Sequence, residues 1–171
     1  MITIRQAGRS ALPDVLALLD GATEWLVAQG RTDQWGTEPH STNPQRIAQV
    51  TGFADDDGLW LAEEADGRVV GALAVGAALP YVPPAGEPEL YVRMLVTDRA
   101  SAGQGIGAAL LDHARDLARA AGVGLLRVDC FAGGDGALVR YYEKQGFTRD
   151  VEFAVPVKGS EWPGQVLSQR L

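Results

Sequence analysis

The sequence holds little from which to build a covalent or metal-held site: one cysteine, Cys130, and two histidines, His40 and His113, in 171 residues. One thiol excludes any disulfide within the chain. Two scattered histidines and one cysteine do not make a metal site. No run approaches the ~18 apolar residues of a membrane span. The opening MITIRQAGRS also lacks the basic-then-apolar order of an export signal, so the expected location is the cytoplasm, away from any membrane. Positive charge is short as well. Fifteen Lys and Arg stand against 22 Asp and Glu, a net charge of −7 with no basic stripe, which argues against nucleic acid as a partner. An anionic cofactor must then be gripped by local backbone donors, and the acidic field suits a cationic amine.

What remains is ordinary for a soluble globular protein: 46% hydrophobic and 22% charged residues, with a length that predicts one domain over 1–171. Periodicity and punctuation predict a short strand at Ile2–Ala7 and a helix over Leu12–Ala28 stopped by Gly30. Asn43–Pro44 reads as a capped helix start. LWLAEEA and RVVGALAVGAA flank Asp66–Gly67 as a hairpin. Segment 79–88 holds four of the nine prolines and reads as an irregular excursion, a candidate lid or homodimer contact. A strand at 89–96, a loop at 97–104, a helix over 105–121, a strand at 125–130 and a helix from about Ala137 to Gln145 follow. Two final strands are expected around a Trp162-Pro163-Gly164 turn. The order is a mixed α/β plan, with parallel crossovers only in the later units.

The most informative stretch is Ala102-Gly103-Gln104-Gly105-Ile106-Gly107, leading into an apolar helix. Three alternate glycines let a ligand approach the backbone, and the helix start offers unpaired N–H groups with a positive dipole end. Together they form a phosphate site that needs no lysine. Two rival readings exist. Gly103-x-Gly105-x-x-Ala108 with Asp129 further on also fits a dinucleotide fingerprint, although Thr97–Ala102 separate these glycines from their strand. A glycine turn that merely caps the helix is the other.

With a second block, strand LLRVDC, a glycine-rich loop, then Leu138-x-x-Tyr141-Tyr142-Glu143-Lys144-Gln145-Gly146-Phe147, the sequence resembles the GCN5-related N-acetyltransferase (GNAT) family over about 89–150. The resemblance implies a central six- to seven-stranded mixed sheet, splayed between strands four and five and flanked by about four helices. It implies acetyl-CoA as co-substrate: the main chain of Met94, Leu95 and Val96 pairs with the pantetheine arm, and Ala102, Gly103, Gln104, Gly105, Ile106 and Gly107 wrap the pyrophosphate. Ala102 stands where the family often has Arg or Gln, and Asp135 or its neighbouring glycines where it often has asparagine. The implied activity is acetyl transfer to a primary amine of a small molecule or peptide. A non-catalytic acyl-CoA-binding module is the alternative.

Such a transfer needs an unprotonated amine, whose ordinary pKa lies near 10, so a base or desolvation must remove a proton. The backbone N–H near Leu95 or Val96 can serve the oxyanion. Tyr142 stands at the position that, by resemblance, donates to the departing sulfur. Glu24 is the candidate base, with His40, Glu87 and Glu89, and Tyr91 and Arg93 within the splayed strand, as alternatives. Trp25, Trp35 and His40 are candidate acceptor-binding residues, aromatic walls being suited to a cationic amine. Cys130 lacks an adjacent base, so transfer is expected to be direct, without an acyl-enzyme.

Overall fold

Elements in this chain begin and end where capping chemistry dictates. The computed structural model describes residues 1–157 and 159–171. Helix α1 (Leu12–Ala28) carries proline in its first turn. It stops where Gly30 turns to φ +72 and the Gly30 and Arg31 amides close onto Val27 and Leu26 carbonyls. Helix α2 (Pro44–Asp55) starts at Asn43, whose side chain accepts from the Gln45 and Arg46 amides. Helices α3 (Ile106–Ala120) and α4 (Ala137–Lys144) run out into Gly122 and Gly146, both at positive φ.

Seven strands, β1 (Thr3–Gln6), β2 (Leu59–Glu63), β3 (Val69–Gly76), β4 (Leu90–Thr97), β5 (Leu125–Phe131), β6 (Thr148–Val157) and β7 (Ser160–Arg170), hydrogen-bond in the order β1-β2-β3-β4-β5-β7-β6. The β4–β5 pair is parallel; β1–β2, β2–β3, β5–β7 and β6–β7 are antiparallel. The sheet is thus mixed, as expected. Its parallel register is short, Leu90–Val92 against Leu126–Val128. Among the described residues no helix is long and apolar enough to cross a membrane.

The chain divides into two compact units, Met1–Gly76 with Met94–His113, and Ala77–Arg93 with Ala114–Leu171; β4 and α3 each run from one into the other. In the first unit, Val15, Leu16, Leu19 and Val50 pack on Leu59, Leu61, Ala72 and Val96. A fully buried Leu or Val contributes roughly 1.5–3 kcal/mol. Adjacent strand residues face opposite ways, so Gly71 lies on the other side, under the start of α3. A Cβ there would stand 2.8 Å from Ile106 Cγ2 and 3.0 Å from Leu110 Cδ1. The missing side chain seats the helix.

In the second unit, β5 pairs β7 from Leu125↔Arg170 to Phe131↔Gly164, and β6 pairs β7 out to Val157↔Ser160. The expected Trp162-Pro163-Gly164 turn therefore lies inside β7. Gly164 serves room rather than turning: a Cβ there would stand 2.3 Å from Phe153 Cζ. Pro163 keeps a ladder partner through its carbonyl, which accepts from the Ala132 amide at 2.9 Å.

Candidate active site

In the first unit the end of β4 is pinned before the glycine loop begins. The Asp98 amide donates to the Val70 carbonyl at 2.8 Å. Arg68 clamps the Asp98 carboxylate at 2.7 Å, and Asp98 in turn accepts from the Ala100 amide at 3.2 Å. The short helical turn Arg99–Ser101 follows, then Gly103 and Gly105 at φ +82 and +74 on either side of Gln104. Residues 102–105 are exposed, and buried Ile106 anchors the far side.

Ala102 and Gln104 donate back to Arg99 and Ser101, and the α3 ladder opens with the Ala109 amide on the Gly105 carbonyl. Between them, the N–H groups of Gly103, Gly105, Ile106, Gly107 and Ala108 have no backbone acceptor among the described residues. Unpaired donors, the dipole end of a 15-residue helix and two left-handed glycines give a cradle whose chemistry fits a diphosphate. The Asp129 carboxylate, which the dinucleotide alternative would assign to a ribose, accepts from the Tyr91 hydroxyl at 2.6 Å.

Residues 19–147 match the model of the acetyltransferase (GNAT) family. The chain belongs to that family. It is 35% identical over 105 residues to mycothiol acetyltransferase of Beutenbergia cavernae, covering 60% of this chain and 32% of that protein. It thus spans about a third of that relative's length. Among solved structures, the ribosomal-protein-alanine N-acetyltransferase of Brucella melitensis matches with a TM-score of 0.71 at 23% identity over 99% of both chains. Salmonella typhimurium yncA, solved with its cofactor acetyl-CoA, matches with a TM-score of 0.67 at 19% identity over 99% of this chain and 93% of its own. At those identities the likeness shows the GNAT fold.

The residues expected around the cofactor of a GNAT domain, Met94–Val96 and Ala102–Gly107, fall together in the first unit. Met94 and Leu95 are half-buried and Val96 is buried. Glu24, Trp25, Trp35 and His40 belong to the same unit. Glu24 is exposed on α1, with no hydrogen bond or ion pair among the described residues. The Trp25 ring carries the Arg99 guanidinium 3.7 Å from its centroid. His40 is buried: Nε2 meets the Thr23 hydroxyl at 3.0 Å, its amide donates to Asp20 at 2.6 Å, and Trp35 presents its edge at 5.3 Å. Burial first, then Arg46, lowers the His40 pKa against a smaller opposing pull from Asp20, so its ring stays neutral at pH 7.

Tyr142, in the second unit, is buried on the inner face of α4 with its ring edge-on to Tyr141 and Phe147. Its hydroxyl makes no hydrogen bond among the described residues. Burial, with smaller effects from Cys130, Tyr141 and Asp129, raises its pKa well above the usual tyrosine value. It therefore keeps its proton at any assay pH. Burial likewise pushes the Cys130 thiol up to about 12, which leaves almost no thiolate to act as a nucleophile.

Glu87 and Glu89 are already committed. Glu89 is held bidentately by Arg127 at 2.8 and 2.9 Å, and Glu87 by Arg170 at 2.6 and 2.7 Å. Sequence reasoning missed both arginines, Arg99 on Trp25, and the Tyr91–Asp129 contact. A signal existed in LLRVDCF, where two charged residues alternate within an otherwise apolar strand and so point together to one face.

Proposed function

We propose that this chain transfers an acetyl group from acetyl-CoA directly to a primary amine of a small molecule or peptide. The observation that carries the reading is the set of amides without a backbone acceptor at the head of α3, those of Gly103, Gly105, Ile106, Gly107 and Ala108, in a protein too acidic to hold a diphosphate by bulk charge. Acetyl-CoA supplies the activated acetyl group as a thioester. The amides of 103–107 grip its diphosphate, and the main chain of Met94–Val96 holds the pantetheine arm as an added strand. The N–H near Leu95 or Val96 stabilises the oxyanion, and Tyr142 donates to the departing sulfur. The inert Cys130 supports transfer without an acyl-enzyme.

Glu24 stands as the base nearest the expected acceptor wall in sequence, on α1.

Thermal melts with acetyl-CoA against NAD(P)H test the cofactor assignment, because a ligand that binds only the folded state raises the melting temperature. Thiol release across aliphatic, aromatic and peptide amines tests the reaction, with mycothiol-type acceptors included because of the relative so named. No stabilisation by acetyl-CoA overturns the reading. The exposed Ala102, which offers no side-chain donor, favours a binding module as the second reading. Acetyl-CoA binding without any thiol release would select it.

A further inference from the structure

Arg127, Asp129 and Phe131 alternate onto one face of β5. Arg127 is 2% exposed and spent: Glu89 takes it bidentately and the Pro83 carbonyl accepts from it at 3.0 Å. Asp129 is different. It is half-buried, no cation pairs with it among the described residues, and its one side-chain donor is the neutral Tyr91 hydroxyl at 2.6 Å. A carboxylate that is drawn from water but left without a counter-ion is costly. Functional sites are where that arrangement recurs.

Four rings adjoin this face in a connected arc: Tyr81 on Phe153 at 5.7 Å, Phe153 on Trp162 at 6.2 Å and Trp162 on Phe131 at 5.5 Å between centroids. Two glycines make room for them, since a Cβ would stand 2.3 Å from Phe153 Cζ at Gly164 and 2.2 Å from Phe131 Cζ at Gly133. Phe131 is buried, but Phe153 and Trp162 are only half-buried and Tyr81 is 44% exposed. Ring surface therefore remains for a ligand. Carboxylate plus aromatic wall is the complement of an ammonium with a planar apolar substituent.

We propose that Asp129 receives the ammonium of the acceptor and takes its proton, while Tyr81, Phe131, Phe153 and Trp162 hold an aryl group on the same molecule, making the acceptor an arylalkyl primary amine. This rests on the amine-acetyltransferase reading and replaces Glu24 as base. The proton step balances simply. One N–H proton passes from the ammonium to an Asp129 oxygen, leaving a neutral carboxyl and a neutral amine whose lone pair is free to attack. No bond to carbon changes in that step.

Several groups face Asp129. Tyr91 from β4 donates to it and Arg127 on the same face of β5 attracts its charged form, while Cys130, which points to the opposite face of β5, and Tyr142 on α4 stay neutral. Burial outweighs these and raises the carboxyl's pKa, which makes it a better proton acceptor. In a desolvated site the neutral amine–carboxyl pair also avoids the penalty of a buried ion pair.

The test is steady-state kinetics with 2-phenylethylamine, n-butylamine, spermidine and an alanine-headed tripeptide, alongside acetyl-CoA binding by calorimetry. Wild-type protein should favour 2-phenylethylamine over butylamine by about tenfold or more in kcat/KM. The F153A/W162A variant should lose that preference through the aryl amine alone. Asp129→Asn should lower kcat/KM by about 10²–10⁴ with acetyl-CoA affinity intact. Tyr91→Phe, which keeps the carboxylate but removes its donor, should move the acidic limb of the pH profile upward. A wild type that prefers spermidine or the peptide overturns the proposal, as does an Asp129→Asn variant that turns over like wild type, or a pH limb unmoved by Tyr91→Phe. Failure of wild-type protein to bind acetyl-CoA overturns the underlying acetyltransferase reading instead.

Discussion

Tyr142 and His40 are both buried polar groups, and opposite consequences follow from their surroundings. The Tyr142 hydroxyl has no partner among the described residues, so Tyr142→Phe removes no native hydrogen bond and leaves thermal stability unchanged or slightly higher. If the hydroxyl protonates the leaving thiolate, kcat falls by about 10²-fold or more while acetyl-CoA binding holds. Equal turnover in the phenylalanine variant would remove Tyr142 from the reaction. His40 instead carries a folded-state pKa held below its unfolded value by burial. At pH above the unfolded value both states are neutral and no linkage arises. As pH falls through it, the unfolded chain binds a proton that the folded chain refuses, so stability declines. Melting temperature should therefore drop between about pH 7.5 and 5.5. His40→Gln, though less stable at pH 7.5, should show a shallower drop, and an equal slope in the two proteins excludes His40 as the source.

The helix start and its loop are set by two kinds of glycine. Gly71 gives way to Ile106 and Leu110 across the sheet. Gly71→Val should overpack that contact, at a cost of about 1–3 kcal/mol, and weaken acetyl-CoA binding by displacing the donors at the head of α3. Gly105 meets nothing within 4 Å but sits at φ +74. Gly105→Ala then costs only the left-handed backbone, about 1–2 kcal/mol. Gly105→Asn, whose side chain tolerates that region, should retain more stability in the same melts. These elements were legible in sequence because caps and stops are local. Asn43–Pro44, Gly30 and Gly122 act within a turn, and α1 falls on its expected residues, Leu12–Ala28. Trp162-Pro163-Gly164 misled because its glycine answers to Phe153, a distant residue on β6. No local pattern reports such a partner.

On the scale of the whole molecule the same division holds. The glycine loop could be read from spacing, and Tyr142 could be singled out only through the family resemblance of the motif around it, since each lies in one contiguous stretch. Asp129 could not be assigned, because its isolation depends on Glu89 and Pro83 capturing Arg127 from some 40 residues away. Net charge is the one global property that composition states directly, and −7 makes a prediction that separates backbone from side-chain recognition. Lysines and arginines gripping a diphosphate lose affinity as salt rises, because attraction between opposite charges is screened. Uncharged amides inside an acidic protein face the reverse balance: short-range hydrogen bonds survive, while the long-range repulsion between protein and anionic ligand is what salt removes. The Debye length falls from about 30 Å at 0.01 M to about 8 Å at 0.15 M, enough to hide most of that repulsion. Acetyl-CoA affinity measured by calorimetry over this range should hold steady or tighten. A steep weakening would mean that cations such as Arg99, rather than the amides of 103–107, bind the diphosphate.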